Sequence, residues 1–187
     1  MISIAVVLGG ASCVWDDVKA LRDLMDLSVA TIVAVNDAGI AWPERLDHWV
    51  TMHPRELPLR IALRKQAGRP SGFVTWTDPG RGGVADRYLS GWDGGSSGLL
   101  ATGAALTVEP AAVLCGVPMD RRPHFNRDAA WGGYDTYRDA WMENFEVLRG
   151  VVRSLSGWTR ELLGAPDEEW IREMRAADRV DSTTRST

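Results

Sequence analysis

The apolar positions of the chain change their spacing several times, and each change marks an element. Residues 2–10, ISIAVVLGG, form an unbroken, largely β-branched run ending in two glycines, the pattern of a strand buried on both faces. In DDVKALRDLMDL the apolar residues Val18, Leu21, Leu24 and Met25 fall at helical spacing, with Ser12 or Asp16 available as the cap. TIVAVNDAG is a second apolar run and LDHWVTMHP a weaker third, so strand, helix and strand follow as a right-handed unit with parallel strands. ELPLRIALRKQAG predicts a helix from near Pro58 to Gly68, and GFVTWTD a fourth strand.

Residues 78–95 are Gly-rich and without a period, and a loop of that length in a compact domain is more often functional than idle. SSGLLATGAALTV then predicts a helix with small residues over much of its surface, and AAVLCGV a fifth strand. Beyond Pro118, Pro, Gly, Arg and aromatic residues mix until YRDAWMENFEVLRGVVRSL, whose Tyr137, Trp141, Phe145, Leu148 and Val152 predict one long amphipathic helix. SGWTRELLGAPDEEWIREMRAADR adds one or two short helices, and residues 179–187 read as a disordered tail. The expected fold is α/β, Rossmann-like and doubly wound, with a mainly parallel sheet of about five to six strands and a small C-terminal helical extension. Residues 1–120 would be the nucleotide-binding core, with 121–178 a lid and helices packed on the same domain.

Composition narrows the function classes only a little. With 187 residues, 45% hydrophobic and 25% charged, the chain has the make-up of one soluble domain. A net charge of −4 counts weakly against a nucleic-acid partner and leaves nucleic acid open only as an acceptor. Cys13 and Cys115 lack the spacing of a zinc site or a disulfide framework, and no apolar run is long enough for a membrane span, so a cytoplasmic protein is expected.

Five stretches could carry chemistry. Gly9, Gly10 and Ser12 stand in a glycine turn between strand and helix, where a backbone can approach a phosphate. Asn36 and Asp37 follow the second strand at a ligand-facing edge, although both are also common turn formers. His48 and His53 have poor geometry for sharing a metal, His53 alone lying where it could line a cleft. Ser96, Ser97 and Gly98 open a helix and offer hydroxyl and N–H groups to an anion, or simply cap it. Asp120, Arg121, Arg122 and His124 follow the fifth strand, an imidazole beside an acid and two cations suited to deprotonating a hydroxyl while phosphate charge is held. Trp42, Trp76, Trp92, Trp131 and Trp158 lie in or beside predicted loops, where rings can stack on bases or mediate dimerisation.

Taken together, VVLGGASCVWDDVKAL, TIVAVNDAG and GGSSGLLATGAALTVEPAAVLCGVPMD resemble the bacterial family 42 sialyltransferases and the related motility-accessory-factor and 6-hydroxymethylpterin diphosphokinase-like proteins, over about residues 2–125. Small phage and actinobacterial proteins have the same general look. The resemblance implies nucleotide contacts at Gly9, Gly10, Ser12, Asn36, Ser96, Ser97 and Gly98 and a general base at His124. Gly10-Ala11 and Pro118-Met119 depart from the family pattern. The expected function is a glycosyltransferase-like transferase with a nucleotide-sugar donor and no metal, Arg121 or Arg122 steadying the leaving phosphate. Two alternatives stand beside it. One is a Mg²⁺-dependent diphosphokinase or nucleotide hydrolase, drawing on Asp37, Asp78, Asp93 and Asp120; the other is a non-enzymatic sensor or sponge for a nucleotide. Residues 137–163 are the expected homo-oligomer contact.

Overall fold

A computed structural model of the chain describes residues 4–92, 94 and 96–184, the last eight by their backbone alone. Seven parallel strands make one sheet: β1 (Ala5–Leu8), β2 (Thr31–Val35), β3 (His48–Val50), β4 (Val74–Thr77), β5 (Arg87–Tyr88), β6 (Ala112–Cys115) and β7 (Val152–Ser154). Their order is β5-β4-β3-β2-β1-β6-β7. The chain runs outward from β1 to one edge and returns on its other side at β6, so the order reverses beside β1, and in open α/β sheets ligands bind at such a reversal.

Alternation along the strands divides the core. Ile4, Val6 and Leu8 face helix α1 (Val14–Leu24) and Trp170 and Ile171 of α8 (Glu168–Thr184). Ala5 and Val7 face α4 (Ser97–Val108) and Trp141 of α5 (Tyr134–Glu143). The small residues of α4 let it lie close over β1, β2, β3 and β6, and eight of its twelve residues are buried. Two shorter helices, α2 (Ala38–Ala41) and α3 (Leu57–Gln66), connect the strands on the β2 side.

The sheet has seven strands rather than five or six, because two have no strong apolar signal. β5 is two exposed residues at the sheet edge. β7 lies inside the stretch that the apolar spacing assigns to one long helix. That helix ends as α5 at Glu143, resumes as the one-turn α6 (Phe145–Leu148), and gives way to β7 after Gly150, whose φ of 82° turns the chain. Val152 then pairs with Ala112 of β6, so the segment beyond residue 120 returns to the same sheet. The surface expected to join subunits sends Trp141, Leu148 and Leu163 into the core. A further short helix, α7 (Gly157–Leu163), precedes α8, whose backbone carries the expected tail into helix as far as Thr184. Residues 185–187 lie outside the described residues. No helix among the described residues is long and apolar enough to cross a membrane.

Candidate functional site

At the carboxyl ends of β1, β2, β3 and β6 the strands open into a cavity of about 430 Å³. Ten of the twelve residues expected to bind or react line it: Gly9, Gly10, Asn36, Asp37, Ser96, Ser97, Gly98, Asp120, Arg122 and His124. Ser12 and Arg121 do not. Ser12 is exposed with its N–H donated to the carbonyl of Pro123, and Arg121 is exposed with its Nε donated to the Tyr134 hydroxyl.

The glycine turn is a packing device before it is a binding loop. A β-carbon at Gly9 would come within 2.1 Å of the Gly116 carbonyl oxygen, so only glycine lets the ends of β1 and β6 approach. The N–H groups of Gly9 and Ala11 donate to Cys115 and Gly116. Helix α1 begins at Val14 with Cys13 as its cap and no capping side chain, neither Ser12 nor Asp16 serving. Asp16 and Asp17 occupy its first turn, where their charge opposes a phosphate. Asp17 is buried and accepts from the Gly116 N–H at 2.8 Å and the Ser156 hydroxyl at 2.7 Å, tying α1 to the ends of β6 and β7. Of the three expected contacts in this turn, only Gly10 keeps an N–H with no acceptor among the described residues.

The second wall is the start of α4. Ser96 accepts from the Leu99 N–H through its hydroxyl, and the Ser97 hydroxyl accepts from the Met52 N–H, fixing the helix to the end of β3. Among the described residues the N–H groups of Ser97 and Gly98 have no protein acceptor, so the positive end of a largely buried twelve-residue helix faces the cavity.

Asn36 and Asp37 at the end of β2 organise an arginine that the sequence reading missed. Arg60 of α3, 9% exposed, donates to Asn36 Oδ1, Thr51 Oγ1 and Asp37 Oδ1, and its remaining terminal nitrogen meets Glu56 at 2.7 Å. Because a guanidinium only donates, the carboxamide oxygen of Asn36 must face it, which leaves Nδ2 for the cavity. Asn36 holds a left-handed φ of 47°, with its carbonyl accepting from the indole of Trp49 at 2.8 Å. Asp37 accepts also from Asn126 at 2.9 Å, which closes the loop after β6 onto the end of β2.

That loop carries His124 across the glycine turn. Phe125 N–H donates to the Gly10 carbonyl, His124 bridges to Ala11, and the imidazole packs edge-on to Trp131, itself stacked on Tyr137. Burial, then the nearby charge of Arg127, pushes the His124 pKa below its ordinary value, which favours the neutral ring. No hydrogen bond joins Asp120 to His124 among the described residues. The Asp120 carboxylate is spent on the N–H and Nε of Arg122, so it positions that arginine.

The cavity's charge differs from that of the whole chain. Four guanidiniums line it, Arg60, Arg81, Arg122 and Arg127, against three carboxylates, Asp37, Glu56 and Asp120. Each carboxylate is paired with Arg60 or Arg122, so Arg81 and Arg127 have no carboxylate partner among the described residues. Arg81 belongs to the Gly-rich loop read as functional, and Arg127 lies three residues past His124; both signals were present in the sequence without a way to place them. Of the five tryptophans weighed for stacking, Trp131 lines the cavity, whereas Trp42 and Trp76 are core residues, Trp92 packs on Gly103 and Trp158 lies under Arg138.

The described residues gather no three metal-ligating side chains. Asp78 caps its own turn at Gly80, Asp37 and Asp120 are paired as above, and Asp93 lies outside the described residues. His48 accepts a hydrogen bond from Trp76, apart from His53, which lines the cavity. Neither cysteine offers a thiolate, since burial raises the pKa of Cys13 and raises that of Cys115 further. No family model, curated protein or solved structure matches this chain.

Proposed function

We propose that the cavity binds a nucleotide-activated donor, a nucleotide sugar, and transfers its sugar to an acceptor hydroxyl. The observation that carries this reading is the meeting, around one cavity, of the imidazole of His124, the open start of α4 and the guanidiniums of Arg81 and Arg127, which have no carboxylate partner among the described residues. Helix start and guanidiniums suit a diphosphate, and Asn36 Nδ2 offers a donor to a base or ribose. In the transfer, the bond from the anomeric carbon to the phosphate oxygen breaks and the acceptor oxygen bonds to that carbon. The acceptor proton passes to His124. The nucleotide leaves with the electron pair, its charge held by the N–H groups of Ser97 and Gly98 and by the arginines.

The test is a thermal-shift series with nucleotides and nucleotide sugars, with and without Mg²⁺, followed by an assay of nucleotide release. A true ligand at a hundred times its dissociation constant stabilises by about 2.7 kcal/mol, which for a chain of this size raises Tm by about 5–10 °C. His124→Ala should abolish release while keeping the shift. Absence of a shift with every nucleotide would overturn the reading. Tight binding without product would turn it into that of a non-catalytic nucleotide binder, and a Mg²⁺ requirement into that of a phosphoryl-transfer enzyme.

A further inference from the structure

Helix α3 turns two arginines inward, and they do different things. Arg64, 1% exposed, donates to the carbonyls of Gly39, Trp42, Glu44 and Pro70 and holds the β2–β3 connection to the helix. Arg60 instead fixes which way one polar side chain of the cavity faces. Its Nη1 donates to Thr51 Oγ1 at 3.1 Å, and the His53 N–H donates to the same oxygen at 2.9 Å. With both lone pairs of that hydroxyl taken, its one hydrogen is left for Asn36 Oδ1, 2.6 Å away, which also accepts from Arg60. The carboxamide cannot turn over without setting its NH2 against two donors. Nδ2, with two hydrogens and no protein acceptor among the described residues, is therefore fixed as a donor in a residue that lines the cavity.

We propose that Asn36 selects the base of the bound nucleotide, Nδ2 donating to a ring carbonyl oxygen, so that the site takes a base bearing such a carbonyl in preference to adenine. Thr51 and Arg60 are the positioning residues behind that choice. The inference rests on the nucleotide-binding reading of the cavity and adds to it the class of base. An asparagine reads adenine with both halves of its carboxamide, accepting from the amino group and donating to the ring nitrogen beside it. Here the oxygen is held by Thr51 and Arg60, so the amino edge of adenine would meet Nδ2 donor to donor, and adenine has no carbonyl to offer instead. Val35, which precedes Asn36, and Met52, which follows Thr51, also line the cavity and offer apolar surface to a ring face. A phosphate is the poorer partner for Nδ2, because Asp37 and Glu56 both pair with Arg60 and outnumber its charge.

Isothermal titration calorimetry of the full chain with uridine, cytidine, guanosine and adenosine diphosphates tests it. The tightest of the first three should bind at least about 10-fold more tightly than adenosine diphosphate, the effect of one hydrogen bond to an otherwise unpaired donor. Asn36→Asp keeps an acceptor for Thr51 and Arg60 and puts an oxygen in place of Nδ2, so the preference should vanish or reverse. All four probes carry the same diphosphate, so the added charge cancels in the ratio. In the parent, the carboxamide NMR resonances of Asn36 should shift with the preferred diphosphate and stay in place with pyrophosphate, and they decide alone should the variant be unfolded. Adenosine diphosphate binding as tightly as the best of the others, as a ribose contact would allow, overturns the proposal and leaves the nucleotide reading in place. So does a preference that survives in the folded variant, or an equal shift with pyrophosphate. A chain that binds none of the four overturns both.

Discussion

The imidazole of His124 lies over Gly10 so closely that a β-carbon there would come within 2.8 Å of Nδ1. Gly10→Ala should therefore displace the ring without disturbing the fold, because the obstacle is the tip of one side chain. Unfolding free energy should change by no more than about 1 kcal/mol, while turnover falls by about 100-fold if the imidazole is the base. The imidazole resonances of His124 should shift in an NMR spectrum of the variant; unchanged resonances would show that the contact constrains nothing.

Gly9→Ala should behave in the opposite way. Here the obstacle is backbone, the Gly116 carbonyl at 2.1 Å, with Val117 at 2.6 Å behind it. Two central strands would have to separate, so urea denaturation should report a loss of about 3 kcal/mol.

Acid should weaken the protein through two of its histidines. Burial depresses the pKa of both His48 and His124 below 6.5, and His48 uses Nδ1 to accept the indole N–H of Trp76. A base with a lower pKa in the folded chain binds fewer protons there than when unfolded. Its contribution is thus full above about 6.5 and is lost as pH falls through the folded value. The carboxyls of Asp26 and Asp86 are held below 3.8 by hydrogen bonds from Ser28 and Thr75, so their contributions go only at lower pH. Stability measured from pH 8 to 5 should decline toward acid, and His48→Gln with His124→Gln should flatten that slope. A slope unchanged in the double variant would assign it to other groups.

Asp17 is the acceptor that joins α1 to the far side of the sheet reversal. Asp17→Ala leaves the Gly116 N–H and the Ser156 hydroxyl without it and should cost about 3 kcal/mol in chemical denaturation. Asp17→Asn keeps one acceptor oxygen and should lose less. Equal losses would mean that charge, rather than hydrogen bonding, sets its value.

How far the sequence could be read follows from which signals are local. The apolar runs at Ala5–Leu8, Thr31–Val35, Val74–Thr77 and Ala112–Cys115 announce buried strands, and the site lies at such strand ends. β7 was hidden because Val152 continues the spacing of Trp141, Phe145 and Leu148; Gly150 before two valines was the contrary sign. Arg60 and Arg64 were unreadable for another reason. Arginine on an amphipathic helix reads as solvent-facing, and its burial depends on carbonyls and carboxylates that other segments supply. Likewise, the free N–H groups of the glycine turn vanish only once Cys115 and Gly116 arrive beside it.

The pairing of β1 with β6 carries a consequence for how the cavity comes into being. Ala5 pairs with Thr31 on one side and with Ala112 on the other, so the second contact closes a loop about four times as long. Four-fold length adds about 1.2 kcal/mol of closure entropy, which favours β1–β2 pairing first and β6 later. The start of α4, His124 and the glycine turn meet only at that late step. A ligand can therefore slow unfolding strongly while leaving the early phase of refolding unchanged.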